Sequence, residues 1–87
     1  MKIEIYTSPT CGYCIRAKKL LQNKNIHFIE HSIFFHPKKK KEMIERSGGK
    51  MTVPQIFINN EYFTDSDGLQ KLQDQGLLDD ILHMRKK

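Results

Sequence analysis

The spacing of apolar and polar positions along the chain predicts strands and helices in alternation. Residues Ile3–Thr7 alternate in character and contain β-forming side chains, which is typical of a strand. Over residues 12–24 the period changes to that of a helix, with Leu20 and Leu21 on its apolar face. A second short strand is expected at residues 27–31.

The middle of the chain predicts a basic helix followed by a pair of strands. Pro37–Arg46 has a helical pattern, with proline where a helix can start and Ser-Gly-Gly at residues 47–49 to end it. Residues 52–63 are expected to form two strands. They are joined by a turn at Asn59 and Asn60, because asparagine tolerates positive φ.

The last part of the chain predicts one more helix and a short helical tail. Ser66 is expected to cap a third helix that carries Leu69 and Leu72, and Gly76 interrupts it before an amphipathic tail over residues 77–82. The resulting order, β-α-β-α-β-β-α, predicts an α/β fold. In it a four-stranded mixed sheet is flanked by three to four helices.

Length and composition limit the chain to one small unit. It has 87 residues, of which 38% are hydrophobic and 29% charged, so we expect a single domain over residues 1–87 with a frayed tail at about 84–87. No membrane span or signal-peptide core is apparent, and a cytoplasmic location is expected, where a cysteine pair is more often catalytic than structural. The net charge of +5 favours anionic ligands.

Both cysteines of the chain lie where the first strand gives way to the first helix, in the segment Cys11-Gly12-Tyr13-Cys14. Cys11 is placed near the unpaired N–H groups of the first helical turn, which stabilise a thiolate. Cys14 lies three residues further along the same helix face and is expected to be more buried. The spacing therefore predicts thiol–disulfide exchange in which Cys11 attacks and Cys14 resolves the mixed disulfide.

A zinc site and a structural disulfide both account less well for the cysteine pair. Zinc would need a second ligand pair, and the histidines are scattered along the chain, at His27, His31, His36 and His83. No metal site is predicted on these residues. A structural disulfide would close a very small loop and so would restrain little of the unfolded chain.

A second motif, Thr52-Val53-Pro54, stands at the start of the third predicted strand. Proline is unusual there unless its missing N–H is harmless. A cis Val53–Pro54 bond would leave the backbone N–H and C=O of Val53 free to pair with an extended peptide. Only about 5–6% of X–Pro bonds in folded proteins are cis, so the spacing alone does not predict it.

Several segments together resemble a known family. They are Ile5-Tyr6-Thr7, Cys11-Gly12-Tyr13-Cys14, Ala17-Lys18, Leu20-Leu21, Glu42-Met43-Ile44, Arg46-Ser47-Gly48, Thr52-Val53-Pro54-Gln55-Ile56-Phe57-Ile58 and Ser66-Asp67. The chain from Ile3 to about Leu78 is similar to the bacterial dithiol glutaredoxins of the thioredoxin superfamily. The resemblance implies a thioredoxin fold, a cis proline at Pro54, glutathione as reductant, and a glutathione mixed disulfide carried by Cys11.

The resemblance also implies the contacts of glutathione. Tyr13 would flank the mixed disulfide, beside Pro54, while Thr52 and Val53 would bind the glutathionyl cysteine through backbone atoms. Ser66 and Asp67 would hold the γ-glutamyl end, which suits a helix start and an acidic side chain. From the residues alone, Tyr13 is equally well a solvent-edge ring, and Asp67 is more simply a first-turn acid that stabilises its helix.

The chain departs from the family pattern in three places, around the cysteines and the expected glutathione site. Gly12 replaces the usual proline and loosens the helix entrance, and some members with a less rigid turn bind a [2Fe–2S] cluster between two subunits with glutathione as ligand. Thr64 and Asp65 replace a Gly-Gly pair, which predicts weaker glutathione binding through crowding and charge. Ser8 replaces a lysine that the family often carries before the catalytic pair.

The segment before and within the second predicted helix is also unusual. The resemblance implies that Lys41, or Lys40, faces the glycine carboxylate of glutathione, whereas Lys38 and Lys39 are expected to be solvated. Residues 33–35, Ile-Phe-Phe, either fill the core or present an apolar patch to a protein partner, and the sequence leaves both open.

The leading functional prediction is a glutathione-dependent oxidoreductase that works as a monomer. It would reduce protein disulfides with Cys11 and Cys14, or glutathionylated proteins with Cys11 alone. The alternatives are a thioredoxin-like hydrogen donor to ribonucleotide reductase and a cluster-bridged dimer. No membrane partner is expected, and no nucleic-acid partner either, since the lysine run lacks a companion motif.

Overall fold

The computed structural model describes residues 1–84 and contains four strands and four helices in that range. The strands and helices follow one another as β1 (Ile3–Thr7), α1 (Gly12–Asn23), β2 (Ile29–Ser32), α2 (Pro37–Arg46), β3 (Gln55–Ile58), β4 (Glu61–Asp65), α3 (Ser66–Asp74) and α4 (Leu78–Met84). The predicted order is confirmed. Of the tail predicted to fray, Met84 ends α4 and residues 85–87 lie outside the described residues.

The four strands form one mixed sheet in the order β2-β1-β3-β4. β1 runs parallel to β2, with Glu4 opposite Ile29, and antiparallel to β3, with Ile5 opposite Ile56. β3 and β4 form an antiparallel hairpin. This is the thioredoxin fold that was predicted. β1 is a central strand of the sheet, and α1 begins beyond its C-terminal end.

Helices cover both faces of the sheet. On one face α1, α3 and α4 bury Ala17, Leu21, Leu69, Leu78 and Leu82 against the isoleucines of β1 and β3. On the other face Met43 of α2 packs with Tyr6 and Phe57. The alternation along β1 and β3 therefore supplies two cores, and the sheet is buried on both sides. No helix within residues 1–84 has the length and apolar character needed to cross a membrane.

Turn geometry follows the residues that favour it. Asn59 and Asn60 have φ values of 52° and 70° and form the predicted hairpin turn between β3 and β4. Gly48 and Gly49 have φ values of 74° and 107° immediately after α2, where a left-handed conformation ends the helix.

Some predicted boundaries were wrong. β2 begins at Ile29 instead of residue 27, because pairing with β1 starts there. β3 begins at Gln55, so residues 52–54 precede the strand instead of opening it. The third helix is capped by Asp65, whose side chain accepts the N–H of Gly68 over 2.9 Å, and not by Ser66.

A buried ion pair joins β1 to α2. Glu4 is only 5% exposed, and its two carboxylate oxygens accept hydrogen bonds from the Arg46 guanidinium at 2.9 and 3.1 Å. His31 Nε2 lies 2.9 Å from the same carboxylate, and Arg46 also donates to the Tyr6 hydroxyl over 2.6 Å. These hydrogen bonds, above all that from Arg46, lower the pKa of Glu4 to about 2.

Candidate active site

Cys11 is the N-cap residue of α1, which fixes the position of its sulfur. Its backbone is extended, with φ −95° and ψ 109°, and its N–H donates to the carbonyl of Ser8 over 3.2 Å. The sulfur accepts the backbone N–H of Cys14 over 3.1 Å. The side chain therefore takes the place of the Ser or Asp oxygen that usually caps a helix, and negative charge on it is favoured by the helix N-terminus.

Cys14 lies in the first turn of α1 and faces inward. It is 1% exposed, whereas Cys11 is partly open to solvent. Burial, reinforced by the contact with the Cys11 side chain, raises the pKa of the Cys14 thiol to about 12. At neutral pH Cys14 is thus a protonated, sheltered thiol behind an accessible one.

The segment before β3 faces the exposed sulfur. The Val53–Pro54 bond is cis, as the resemblance implies, and the Cys11 thiol donates to the carbonyl of Val53 over 3.6 Å. Gln55 is fully buried beneath this segment, and its Nε2 donates to the backbone carbonyl of Thr52 over 2.9 Å and to its hydroxyl at 3.2 Å. Sequence reasoning gave Gln55 no role, although an amide inside an apolar strand pattern was a signal.

The start of α3 forms the third side of the site. Asp65 takes up the N–H of Gly68, while Ser66 and Asp67 occupy the first two helical positions. First-turn N–H groups are the usual donors to a bound carboxylate, and an exposed Asp67 beside them suits an ammonium group. Asp65 was predicted only as an obstacle to glutathione, and its structural role as the cap was missed.

These three segments enclose a groove of about 280 Å³. Six of the predicted glutathione-binding residues line it together with Asp65, and they are Tyr13, Thr52, Val53, Pro54, Ser66 and Asp67. Lys41 does not line this groove within the described part of the chain, and its side chain is exposed on α2. Arg16 lies 5.9 Å from the centre of the Tyr13 ring and borders a smaller cavity beside Ser66 and Asp67.

The sequence profile of the Glutaredoxin family matches residues 3–63. The chain belongs to the glutaredoxin family. It is 48% identical over 80 residues to glutaredoxin 3 of Escherichia coli strain K12, a match that covers 92% of this chain and 95% of that protein. Glutaredoxin 1 of Rickettsia conorii is 43% identical over 86 residues, covering 98% of this chain and 84% of its own.

Solved structures agree with the sequence comparison. The solution structure of a glutaredoxin from Brucella melitensis matches with a TM-score of 0.78 at 44% identity, covering 94% of this chain and 88% of that one. A structure described as "Metal Binding of Glutaredoxins" matches with a TM-score of 0.65 at 46% identity, covering 93% of this chain and 87% of that one.

Membership of the family establishes the activity. This glutaredoxin is a glutathione-dependent thiol–disulfide oxidoreductase. Glutathione is its reductant, and the chemistry of the site is compatible with that, since a partly exposed thiol lies at a helix start beside a groove that is lined by the first residues of α3, among them the acidic Asp67.

Proposed function

We propose that Cys11 is the nucleophile and Cys14 the resolving thiol of this oxidoreductase. The observation that carries the assignment is the difference between the two sulfurs, one partly exposed and hydrogen-bonded by a helix N–H, the other buried and protonated. An attacking sulfur must be accessible to its substrate, and of the two sulfurs only that of Cys11 is partly open to solvent and accepts a helix N–H.

With a glutathionylated protein, Cys11 acts alone. Its thiolate attacks the glutathione sulfur, so the Cys11–glutathione S–S bond forms while the protein–glutathione S–S bond breaks and the protein leaves as a thiolate. A second glutathione, as its thiolate, then attacks the glutathionyl sulfur bound to Cys11. Oxidised glutathione leaves, and the Cys11 thiolate is restored.

With a protein disulfide, both cysteines take part. The Cys11 thiolate attacks one sulfur and releases the other as a protein thiolate. Cys14 then loses its proton to solvent or to that thiolate and attacks the Cys11 sulfur, which releases the second protein thiol and leaves a Cys11–Cys14 disulfide. Two glutathione molecules supply the two electrons that reduce this disulfide again and leave as oxidised glutathione.

We assign the 280 Å³ groove to the glutathionyl half of the mixed disulfide. Tyr13 and Pro54 flank the disulfide in this assignment, and the backbone of Thr52 and Val53 pairs with the glutathionyl cysteine. The carbonyl of Val53 already accepts a hydrogen bond from Cys11, so it lies within reach of a group bonded to that sulfur.

The two ends of glutathione carry charges that the site residues match. Ser66 and Asp67 take the γ-glutamyl end, with N–H groups of α3 for its carboxylate and the Asp67 carboxylate for its ammonium. Lys41 remains the proposed partner of the glycine carboxylate, as an exposed side chain on α2. Asp65 adds a second negative charge beside the γ-glutamyl carboxylate, so weaker glutathione binding remains our expectation.

We propose protein disulfides and glutathionylated proteins as substrates, a monomer as the working form, and the cytoplasm as its location. A reducing compartment keeps both thiols in the free state that the reaction requires. A thioredoxin-like donor to ribonucleotide reductase is a narrower version of the same chemistry, with the protein disulfide as substrate.

A cluster-binding dimer is a second candidate. Apart from its neighbours in the chain and the backbone of its own helix, a β-carbon on Gly12 would meet no atom within 4 Å, so this turn has open space around it. The structure described as "Metal Binding of Glutaredoxins" is 46% identical to this chain. Within the described residues no group of three or more His, Cys, Asp or Glu side chains is placed to hold a metal. Cys11 would therefore supply one thiolate per subunit, and glutathione the other ligands of a [2Fe–2S] cluster. Protein purified without oxygen would then carry visible absorbance and a dimeric mass, both lost in Cys11→Ser.

Single cysteine variants test the assigned roles. Glutathione-coupled turnover is measured on a glutathione mixed disulfide and on a protein disulfide. Cys11→Ser should abolish both activities, whereas Cys14→Ser should keep the first and lose the second. Equal loss of both activities in the two variants would contradict the assignment.

A further inference from the structure

A second groove opens on the other side of the cysteine loop from the glutathione groove. It has a volume of about 370 Å³ and is lined by Ser8, Pro9, Ile15, Phe35 and His36, among others. Among the described residues, none lines both grooves. The loop between them is tied to the reactive residue, because the Ser8 carbonyl accepts the backbone N–H of Cys11.

Two aromatic rings extend this groove outward. Phe34 is 68% exposed and Phe35 is 67% exposed, and their ring centres lie 5.1 Å apart in an edge-to-face arrangement. Ile33, the residue before them, packs instead against the core formed by Tyr6, Met43 and Phe57. The structure thus separates the two options left open by the sequence, since Ile33 fills the core and the phenylalanines do not.

The turn that carries the two rings is held in place. Ser32 accepts the N–H of Phe35 on its hydroxyl and that of His36 on its carbonyl, both over 3.2 Å. The N–H of Ile33 donates to the carbonyl of Thr7 over 2.9 Å. The rings are therefore presented to solvent by an ordered turn, and their exposure does not result from a loose segment.

The charge beside the rings is positive on α2, whereas the groove itself is lined by Lys18 and Glu30, which pair with each other over 2.9 Å. The first turn of α2 contains Lys38 and Lys39, has no acidic residue and has no side-chain cap, although the positive end of a helix disfavours cations. In the described part of the chain Lys39 pairs with Glu42, while Lys38, Lys40 and Lys41 form no ion pair. An external anion would neutralise the positive charge of these lysines.

We propose that this second groove and its aromatic patch, made of Pro9, Ile15, Phe34 and Phe35, dock the polypeptide half of a mixed disulfide substrate. The preferred segment has an apolar side chain next to acidic residues. The inference rests on the proposed assignment of glutathione to the other groove, because Cys11 attacks the glutathione sulfur of a protein–glutathione disulfide and the polypeptide that leaves must lie outside that groove.

In this arrangement the apolar contacts bind the substrate and the charged contacts speed its association. The rings and Ile15 bury an apolar side chain close to the disulfide, and Lys38 attracts the acidic residues and raises the association rate at low salt. A small mixed disulfide has no polypeptide half, so its reduction does not depend on the patch.

Two synthetic peptides test the proposal. Each carries one glutathionylated cysteine and one phenylalanine, flanked by four glutamates in one and by four lysines in the other. The mixed disulfide of glutathione and 2-mercaptoethanol is the small substrate. We expect kcat/KM for the acidic peptide to exceed that for the basic peptide by about tenfold at low salt, and the ratio to fall as salt is added.

Variants then locate the effect. Phe34→Ser/Phe35→Ser should lower kcat/KM for the acidic peptide by about tenfold, and Lys38→Glu should reduce the preference for the acidic peptide, while both keep wild-type turnover of the small substrate. Leu77→Ser, at a half-exposed apolar residue between α3 and α4, is the control and should change neither.

Three outcomes would overturn the docking proposal. They are equal rates on the two peptides, an unchanged acidic-peptide rate in the double variant, and a wild-type dimer by sedimentation that the double variant converts to a monomer, since the patch would then join two copies. Failure of the wild type on the small substrate would instead contradict the proposed chemistry at Cys11, so the two failures are distinguishable.

Discussion

The side chain of Thr64 occupies the space that a β-carbon on Gly68 would need. Its hydroxyl oxygen overlaps that position, and its own β-carbon lies 3.2 Å away. Thr64 is the last residue but one of β4 and Gly68 lies in the first turn of α3, so this contact sets how closely the helix approaches the strand that precedes it. The side chain of Thr64, where the resemblance implies a glycine, is therefore accommodated by a glycine four residues later.

The first prediction concerns this pair. Gly68→Ala should lower the free energy of unfolding by about 1–3 kcal/mol because the new methyl group overpacks against Thr64. In a Thr64→Gly background the same change should be neutral or stabilising, since alanine is favoured over glycine in a helix. Urea unfolding of the wild type, the two single variants and the double variant gives the coupling free energy between the two positions. Additive effects of the two substitutions would contradict the contact.

The second prediction separates the charge of Asp65 from its capping role. Asp65→Asn keeps a capping side chain for the Gly68 N–H, so the unfolding free energy should hardly change, whereas Asp65→Ala should cost about 1 kcal/mol. Loss of the negative charge in Asp65→Asn should lower KM for glutathione by about two- to fivefold. Asp80→Asn, at an exposed acid on α4, is the charge-matched control, and an equal effect there would show that the charge of Asp65 does not act locally.

The third prediction concerns the pH dependence of stability. Because the pKa of Glu4 is about 2 in the folded protein and 4.5 is its ordinary value, the carboxylate stabilises the fold above pH 4.5, and this contribution is lost as pH falls toward 2. Glu4→Gln should therefore lower the free energy of unfolding by about 3 kcal/mol at pH 7, and by progressively less below pH 4.5. Chemical unfolding at several pH values measures this difference.

Glu61→Gln provides the comparison for Glu4, since Glu61 is exposed at the start of β4. Its variant should follow the wild type at every pH. A Glu4→Gln curve that stays parallel to the wild type down to pH 2 would show that the Arg46 contact does not hold the carboxylate ionised.

The fourth prediction concerns the difference in reactivity between the two cysteine thiols. Because Cys14 is buried and its pKa is raised to about 12, iodoacetamide should modify the folded, reduced protein once, at Cys11, even at pH 9. Mass spectrometry of the intact protein and its peptides identifies the site. Unfolded protein should take up two groups, and rapid labelling of folded Cys11→Ser would disagree with the structure.

Local sequence signals predicted most of the fold. Pro37–Arg46 was located correctly because proline marks its start and glycines follow its end, and the hairpin turn at Asn59 and Asn60 follows from one residue preference. Features set by tertiary contacts were not accessible in this way. Glu4 resembles a solvent-facing strand residue in the pattern, and only the return of α2 places Arg46 beside it.

Only some features of the candidate site could be predicted from the sequence. The cysteine spacing alone indicated the redox chemistry, whereas the glutathione groove joins Tyr13, Thr52 and Ser66, which are far apart in the chain, and only the family resemblance brought them together. The cap at Asp65 was missed because Ser66 is an equally good capping residue in sequence, and the extra length of β4 decides between them. Whether residues 33–35 fill the core or form an exposed patch could not be predicted, because it depends on which side chain points into the core.

The sheltered position of Cys14 behind Cys11 also bears on oxidative damage. When hydrogen peroxide converts the outer sulfur to a sulfenic acid, the inner thiol is the nearest nucleophile and expels water to form a disulfide, which glutathione can reduce. The inner residue thereby competes with further oxidation to the irreversible sulfinic acid. A glutaredoxin built in this way can recover from the oxidants that produce its own substrates.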